Sequence, residues 1–328
     1  MRILVTGSAG HLGEALMRVL RSRGRDARGT DIKPSDFTDK VGSIVDRVFV
    51  REAMAGVDAV LHTATLHKPH VATHTRQDFI DTNITGTLNL LEEALAAGVG
   101  SFVFTSTTST FGDALRPPPD QPAAWITEDV TPIAKNIYGA TKTAAEDLCR
   151  LFHRNQGLPC VVLRTSRFFP EPDDDPARRS TFDGTNLKVC ELLYRRVDIV
   201  DVVDAHLQAI ERAPEIGFDR FIISATTPFR REDLERLRSD PAGVLDHRVP
   251  GWREVFDSRG WRMLDDIERV YVNAHARARL GWQPVHDFRR AIRDLGRGRD
   301  YRSALALEIG ARGYHDIEYS GGIFPVEN

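Results

Sequence analysis

Tyr138-Gly139-Ala140-Thr141-Lys142 sets a phenol and an ammonium four residues apart, one turn along a single helical face. Such a pair can move a proton to or from a hydroxyl. A phenol titrates near pH ~10 and is a poor base at neutrality, so a neighbouring cation and the positive ring of a bound nicotinamide must together lower it; three units would take ~4 kcal/mol. Thr107 follows the apolar run Ser101-Phe102-Val103-Phe104-Thr105, at the end of a strand, where its hydroxyl can hold a substrate oxygen while hydride moves. Tyr-x-x-x-Lys is common by chance, and its meaning depends on what positions it.

The positioning begins at the N-terminus. Ile3-Leu4-Val5 runs into Gly7-x-x-Gly10-x-x-Gly13, after which Leu12, Ala15, Leu16, Val19 and Leu20 share one helical face, giving strand, tight turn and helix. Glycine permits the turn and lets the backbone approach a pyrophosphate, and the helix N-terminus offers unpaired N–H groups to it. Asp31 follows Gly13 by eighteen residues. That is where a carboxylate accepts hydrogen bonds from the adenosine ribose hydroxyls, and the same charge repels a 2′-phosphate, so the reading is NAD over NADP.

Further apolar runs at 58–62, 101–105 and 159–164 alternate with helical patterns near 50–55, at 83–97 and beyond Tyr138. Alternation of this kind gives an α/β fold, a doubly wound parallel sheet with helices on both faces. Residues 198–213 read as a short strand and a helix, and 221–223 as a further strand; 167–197 and 225–265, rich in Arg, Asp and Pro, read as surface loops and small helices over the carboxyl edge of the sheet. The expected organisation is a dinucleotide-binding domain over 1–166, with 198–224 completing the sheet, and a smaller substrate lobe and tail from 167–197 and 225–328. The last thirty residues, with Tyr314, Tyr319 and Phe324 among glycines, read as an ordered tail.

The chain has 328 residues, a net charge of −3 and 28% charged residues, an ordinary balance that gives no reason to invoke nucleic acid or an anionic membrane. No apolar run approaches the ~18 residues of a spanning helix, and a cytoplasmic location is expected. Cys149, Cys160 and Cys190 are scattered and read as buried structural thiols. His67, His70 and His74 lack the partners of a closed metal site, so no metal is expected. The pairs Arg178-Arg179 and Arg195-Arg196 read as solvated faces.

Together these stretches resemble the extended short-chain dehydrogenase/reductase family, which contains the NAD-dependent sugar epimerases and dehydratases. The resemblance runs nearly the whole chain: Thr6 to Gly13, Asp31, Val60-Leu61-His62-Thr63-Ala64, Asn83 before Gly86-Thr87-Leu88-Asn89, Phe104-Thr105-Ser106-Thr107, the Tyr138/Lys142 pair, and Leu280-Gly281-Trp282-Gln283-Pro284. It implies a Rossmann-type fold, Tyr138 as general acid/base, Lys142 on the nicotinamide ribose, and Thr107 polarising the substrate beside Thr108. It also implies cofactor contacts from Gly7, Gly10, His11, Leu12, Gly13, Asp31, Ala64, Thr65 and Asn83, with His67 or Lys68 reaching toward the cofactor, and a homodimer.

Departures from the family pattern narrow the reading. Ser43 stands where an adenine-contacting Asp is expected, leaving Ile44 and the backbone to hold the base. Thr108 and Ser109 replace the Asp-Glu pair with which dehydratases eliminate water, so dehydration is not expected. Arg164-Thr165-Ser166-Arg167-Phe168-Phe169-Pro170-Glu171-Pro172 looks similar to the uronate dehydrogenase branch, and Arg167 can bind a substrate carboxylate or phosphate in bidentate fashion. The expected activity is hydride transfer at a secondary alcohol of a sugar or sugar acid. Two alternatives stand beside it: a nucleotide-sugar 4-epimerase that keeps its NAD, and a non-catalytic NAD-sensing protein.

Overall fold

The computed structural model describes residues 1–313 except residue 174. Its main layer is a seven-stranded sheet: β1 (Arg2–Thr6), β2 (Asp26–Asp31), β3 (Lys40–Val41), β4 (Ala59–His62), β5 (Ser101–Thr107), β7 (Cys160–Thr165) and β8 (Phe218–Ile223). The strands lie in the order β3-β2-β1-β4-β5-β7-β8, and every neighbouring pair is parallel. β4, β5 and β7 are buried along almost their whole length because helices cover both faces. The strand order reverses between β1 and β4, and the carboxyl ends of those two strands open the crevice in which an open α/β sheet binds its ligands.

The crossovers are α1 (His11–Ser22), α2 (Arg47–Met54), α3 (Arg76–Ile80), α4 (Gly86–Ala96) and α5 (Ile137–Gln156). One π turn, Asp81–Thr85, joins α3 to α4 and carries Asn83. α6 (Pro176–Thr181) and α7 (Gly184–Glu191) follow β7. Residues 198–213 are not strand and helix: α8 (Ile199–Ile216) is one helix, started by the Asp198 carboxylate accepting from Val200 N–H. The β-branched run that reads as a strand, with Ile199, Val202 and Val203, spaces its apolar residues so that they share a buried helical stripe with Ala209 and Ile210.

The second lobe holds β6 (Ala124–Ile126) paired in parallel with β9 (Arg269–Tyr271), and the helices α9 (Pro241–Arg248), α10 (Trp252–Asp257) and α12 (Phe288–Gly296), whereas α11 (Ala274–Leu280) and α13 (Ala304–Ile309) return to the main core through Ala276, Leu280 and Ile309. It is more than surface loops. Leu187, Leu193, Val244, Leu245, Trp252, Phe256 and Phe288 build a separate apolar core. α13 instead docks on α1, where Arg18 bonds Glu308 at 2.6 Å and Ile309 joins the main core. The tail from Tyr314 onward, with Tyr319 and Phe324, lies outside the described residues. Among the described residues no helix is long and apolar enough to cross a membrane.

Candidate active site

The glycine turn is built so tightly that side chains cannot enter it. Gly7 has φ +74°, and a Cβ there would fall 2.7 Å from the Ala64 nitrogen; a Cβ on Gly13 would fall 1.9 Å from the Gly7 carbonyl oxygen. Gly10 caps α1 without any side-chain hydrogen bond, leaving the first N–H groups of the helix directed at the turn. Asp31, at the carboxyl end of β2, accepts from Ala9 N–H at 3.0 Å and from Lys33 N–H at 2.9 Å, so its carboxylate braces the turn while lining the same cleft. This narrow, donor-rich cradle beside one acid fits a dinucleotide pyrophosphate and its adenosine ribose.

That cleft, about 1110 Å³, is lined by Gly7, Gly10, His11, Leu12 and Gly13, by Asp31 and Ile44, by Ala64 and Thr65, and by Thr107, Thr108, Tyr138 and Arg167. His67, Lys68, His70 and His74 line it too, the His70 ring accepting from His67 N–H at 3.0 Å. Among the described residues no three His, Cys, Asp or Glu side chains are grouped to hold a metal ion. Ile44 is held there because the Asn89 amide donates to its carbonyl at 3.0 Å and Gly86 leaves room for its side chain.

Two residues of the sequence reading stand outside the cleft lining. Asn83 is 2% exposed, and its amide is used within the protein: it accepts from the Thr65 hydroxyl and Leu66 N–H and donates to the Leu66 carbonyl and the Thr141 hydroxyl, at 2.9–3.0 Å. It therefore ties the loop after β4 to α5 between Tyr138 and Lys142. Lys142 is equally buried, with its ammonium 4.0 Å from the centroid of the Phe104 ring.

Asn136 starts α5 by accepting from Gly139 N–H at 3.0 Å. Gly139 passes so close to the chain after β5 that a Cβ would sit 2.9 Å from the Ser109 carbonyl oxygen, and this approach sets Tyr138 beside Thr107. Deeper in α5, Glu146 accepts from the Ser106 hydroxyl at 2.5 Å and pairs with Arg164 of β7 at 2.7 Å, both partners 1% exposed. α5 is thus clamped to the ends of β5 and β7, which fixes the register of the three polar groups.

The protein's own groups do not lower the phenol pKa, whose expected fall takes a neighbouring cation together with the positive nicotinamide ring. Burial pushes Tyr138 up to about 12, against a small opposing effect of the Thr107 hydroxyl. Burial likewise pulls Lys142 down to about 7, although Glu146 and Cys149 oppose it. Desolvation drives both groups toward neutrality. All three cysteines are buried and free.

Arg167 does not present an open fork. Its Nη1 donates to Asp173 at 2.5 Å and to Glu191 at 3.2 Å. Arg195 and Arg196, which read as a solvated pair, also close on Glu191, at 2.5 and 2.7 Å. Burial raises the Glu191 pKa, but Arg195, Arg196 and Arg167 outweigh it and hold the carboxylate ionised. The Glu191/Arg195 spacing of four residues was the available sign of this cluster. Arg116, Lys135, Arg269 and Tyr271, not singled out in the sequence, line the cleft as well.

The comparisons with known proteins agree with this architecture. The family model described as "NAD dependent epimerase/dehydratase family" matches residues 3–220. The chain is 28% identical to a UDP-glucose 4-epimerase of Rhizobium meliloti over 323 residues, covering 87% of this chain and 93% of that one. It is 32% identical to a dTDP-glucose 4,6-dehydratase of Streptomyces niveus, over 64% and 68% of the two chains. Among solved structures, a short-chain dehydrogenase/reductase superfamily protein from Agrobacterium tumefaciens, with bound NAD, aligns at TM-score 0.64 and 25% identity over 94% of this chain and 99% of that one. The chain belongs to the NAD dependent epimerase/dehydratase family.

Proposed function

We propose that the protein is an NAD-dependent dehydrogenase acting at a secondary alcohol of a sugar or sugar acid. The observation that carries this reading is the meeting of Thr107 and Tyr138 with the glycine cradle in one cleft at the point where the strand order reverses. NAD, when bound, accepts the hydride. Gly7, Gly10, His11, Leu12 and Gly13 would hold its pyrophosphate, Asp31 its adenosine ribose, Ile44 its base, and Ala64 and Thr65 the stretch toward the nicotinamide. Thr107 and Thr108 orient the substrate oxygen. Tyr138, as the phenolate, takes the hydroxyl proton and becomes the phenol, and Lys142, through its charge, favours the phenolate from which that transfer starts. Asn83 acts as a positioning residue for α5.

Three observations weigh between the alternatives. Thr108 and Ser109 supply no acid/base pair for eliminating water, against a dehydratase. The near full-length similarity to a UDP-glucose 4-epimerase favours, as a second reading, a nucleotide-sugar epimerase that retains its cofactor. The buried Tyr138 and Lys142, both intact, argue against a protein that only senses NAD. The test is Tyr138→Phe: turnover should fall by orders of magnitude while NAD affinity stays within severalfold, and unchanged turnover would remove Tyr138 from the chemistry.

A further inference from the structure

Beyond Thr107 the cleft changes character. The acids that line it, Glu14, Asp31 and Glu171, stand toward the cofactor cradle, where Arg312 bonds Glu14 through its guanidinium and Glu171 through its backbone N–H. The substrate half is lined by Arg116, Lys135, Arg167, Arg195 and Arg269, with no acid among the described lining residues. Arg167 and Arg195 are already claimed by Asp173 and Glu191. Arg116 and Lys135 are exposed at the rim.

Arg269 is different. It belongs to β9, where alternation sends Val270 into the lobe core and turns Arg269 and Tyr271 to the cleft. Its side chain is 14% exposed; among the described residues its Nε, like that of Arg195, is buried with no hydrogen-bond partner, and its one ionic contact is a 3.3 Å approach of Nη1 to the adjacent Glu268. β9 is held rigidly, by pairing with β6 and by Tyr271 N–H donating to the Tyr194 carbonyl at 3.1 Å. The guanidinium carbons of Arg195 and Arg269 lie 5.5 and 6.0 Å from the centroid of the Tyr194 ring. A largely buried, pre-positioned guanidinium whose donors are mostly unused costs stability unless a ligand employs them.

We propose that Arg269 anchors an oxyanion carried by the substrate, a carboxylate or a phosphate, opposite the reacting hydroxyl. This deepens the hydride-transfer reading above and rests on it. The anion closes the fork of Arg269, with Arg195 beside it supplying charge; Arg116 and Lys135 steer the anion in from the rim. Uncharged sugars lack the group that this half of the cleft is built to receive.

The test measures binding, in the NAD-saturated protein, by calorimetry with four probes: glucose, glucuronate, glucose 1-phosphate and UDP-glucose. The Tyr138→Phe background prevents turnover. At least one anionic probe should bind tenfold or more tightly than glucose, and whether it is the carboxylate or a phosphate identifies the source of the oxyanion. Arg269→Gln should weaken that probe at least tenfold and leave glucose and NAD unaffected, and Arg269→Lys should recover part of the loss. Equal binding of the anion by Arg269→Gln, a loss shared by glucose, or no preference for any anion in the parent protein would overturn the assignment. Hydride transfer that depends on Tyr138 but is indifferent to Arg269 would leave the proposed activity standing and remove this inference alone.

Discussion

Replacing Lys142 by methionine should abolish turnover and yet make the protein more stable. Burial drops the Lys142 pKa from 10.5 to about 7, and at ~1.4 kcal/mol per unit the charged form is disfavoured in the folded state by about 5 kcal/mol. The attraction of Glu146 is already contained in that figure. Methionine keeps the length and volume of the side chain but forfeits the contact of the ammonium with Phe104, ~0.5–2 kcal/mol, leaving a net gain of roughly 3 kcal/mol. Because the folded pKa lies below the unfolded one, the unfolded chain binds more protons between pH 7 and 10.5, and wild-type stability rises with pH across that window. The cost of the lysine is complete below pH 7 and gone above 10.5. Urea denaturation of both proteins at pH 6.5, 8.5 and 10 reads the difference directly. A variant no more stable than wild type at pH 6.5, or an advantage that does not shrink with rising pH, would refute a desolvated ammonium at this position.

Gly13→Ala should destabilise the protein by ~1–3 kcal/mol and weaken NAD binding, since its Cβ would meet the Gly7 carbonyl oxygen at 1.9 Å; an unchanged melting midpoint would show that the turn can relax. Asp31→Ala should weaken NAD and narrow its advantage over NADP, measured as the ratio of the two dissociation constants. Comparable use of both cofactors by the wild-type protein would contradict the role given to that carboxylate. Glu146→Gln should cost ~3–5 kcal/mol, because it leaves Arg164 charged and uncompensated at 1% exposure; a loss below 1 kcal/mol in denaturant titration would show that α5 is not held by this pair.

The glycine cradle of the proposed cofactor half was legible in the chain because it is local. The turn from Gly7 to Gly13 and Asp31 lie within three consecutive elements, and glycine spacing reports a backbone constraint that tertiary structure does not alter. Tyr138 and Lys142 were legible for the same reason, being one turn apart, but their protonation was not. The apolar packing that buries them comes from several elements at once, and burial pushes each toward its neutral form. The substrate half was legible least. Arg195 and Arg196 looked like a solvated pair until Glu191 was placed against them, and Arg269 acquires meaning only through β9, a short strand whose partner β6 lies well over a hundred residues earlier in the chain. Asp198–Ala213 shows the limit of propensity: a β-branched run folded as helix because its periodicity buries a stripe against the main core.

Absorbance at 340 nm, with purified protein, excess NAD and a panel of free sugars, uronic acids and nucleotide sugars, tests the central claim most directly. The account predicts sustained NADH accumulation, many equivalents per protein, with an oxidisable sugar or sugar acid. No accumulation with any of them, but a changed sugar configuration by NMR in the same samples, would contradict net dehydrogenation and make the protein an epimerase that keeps its reduced cofactor.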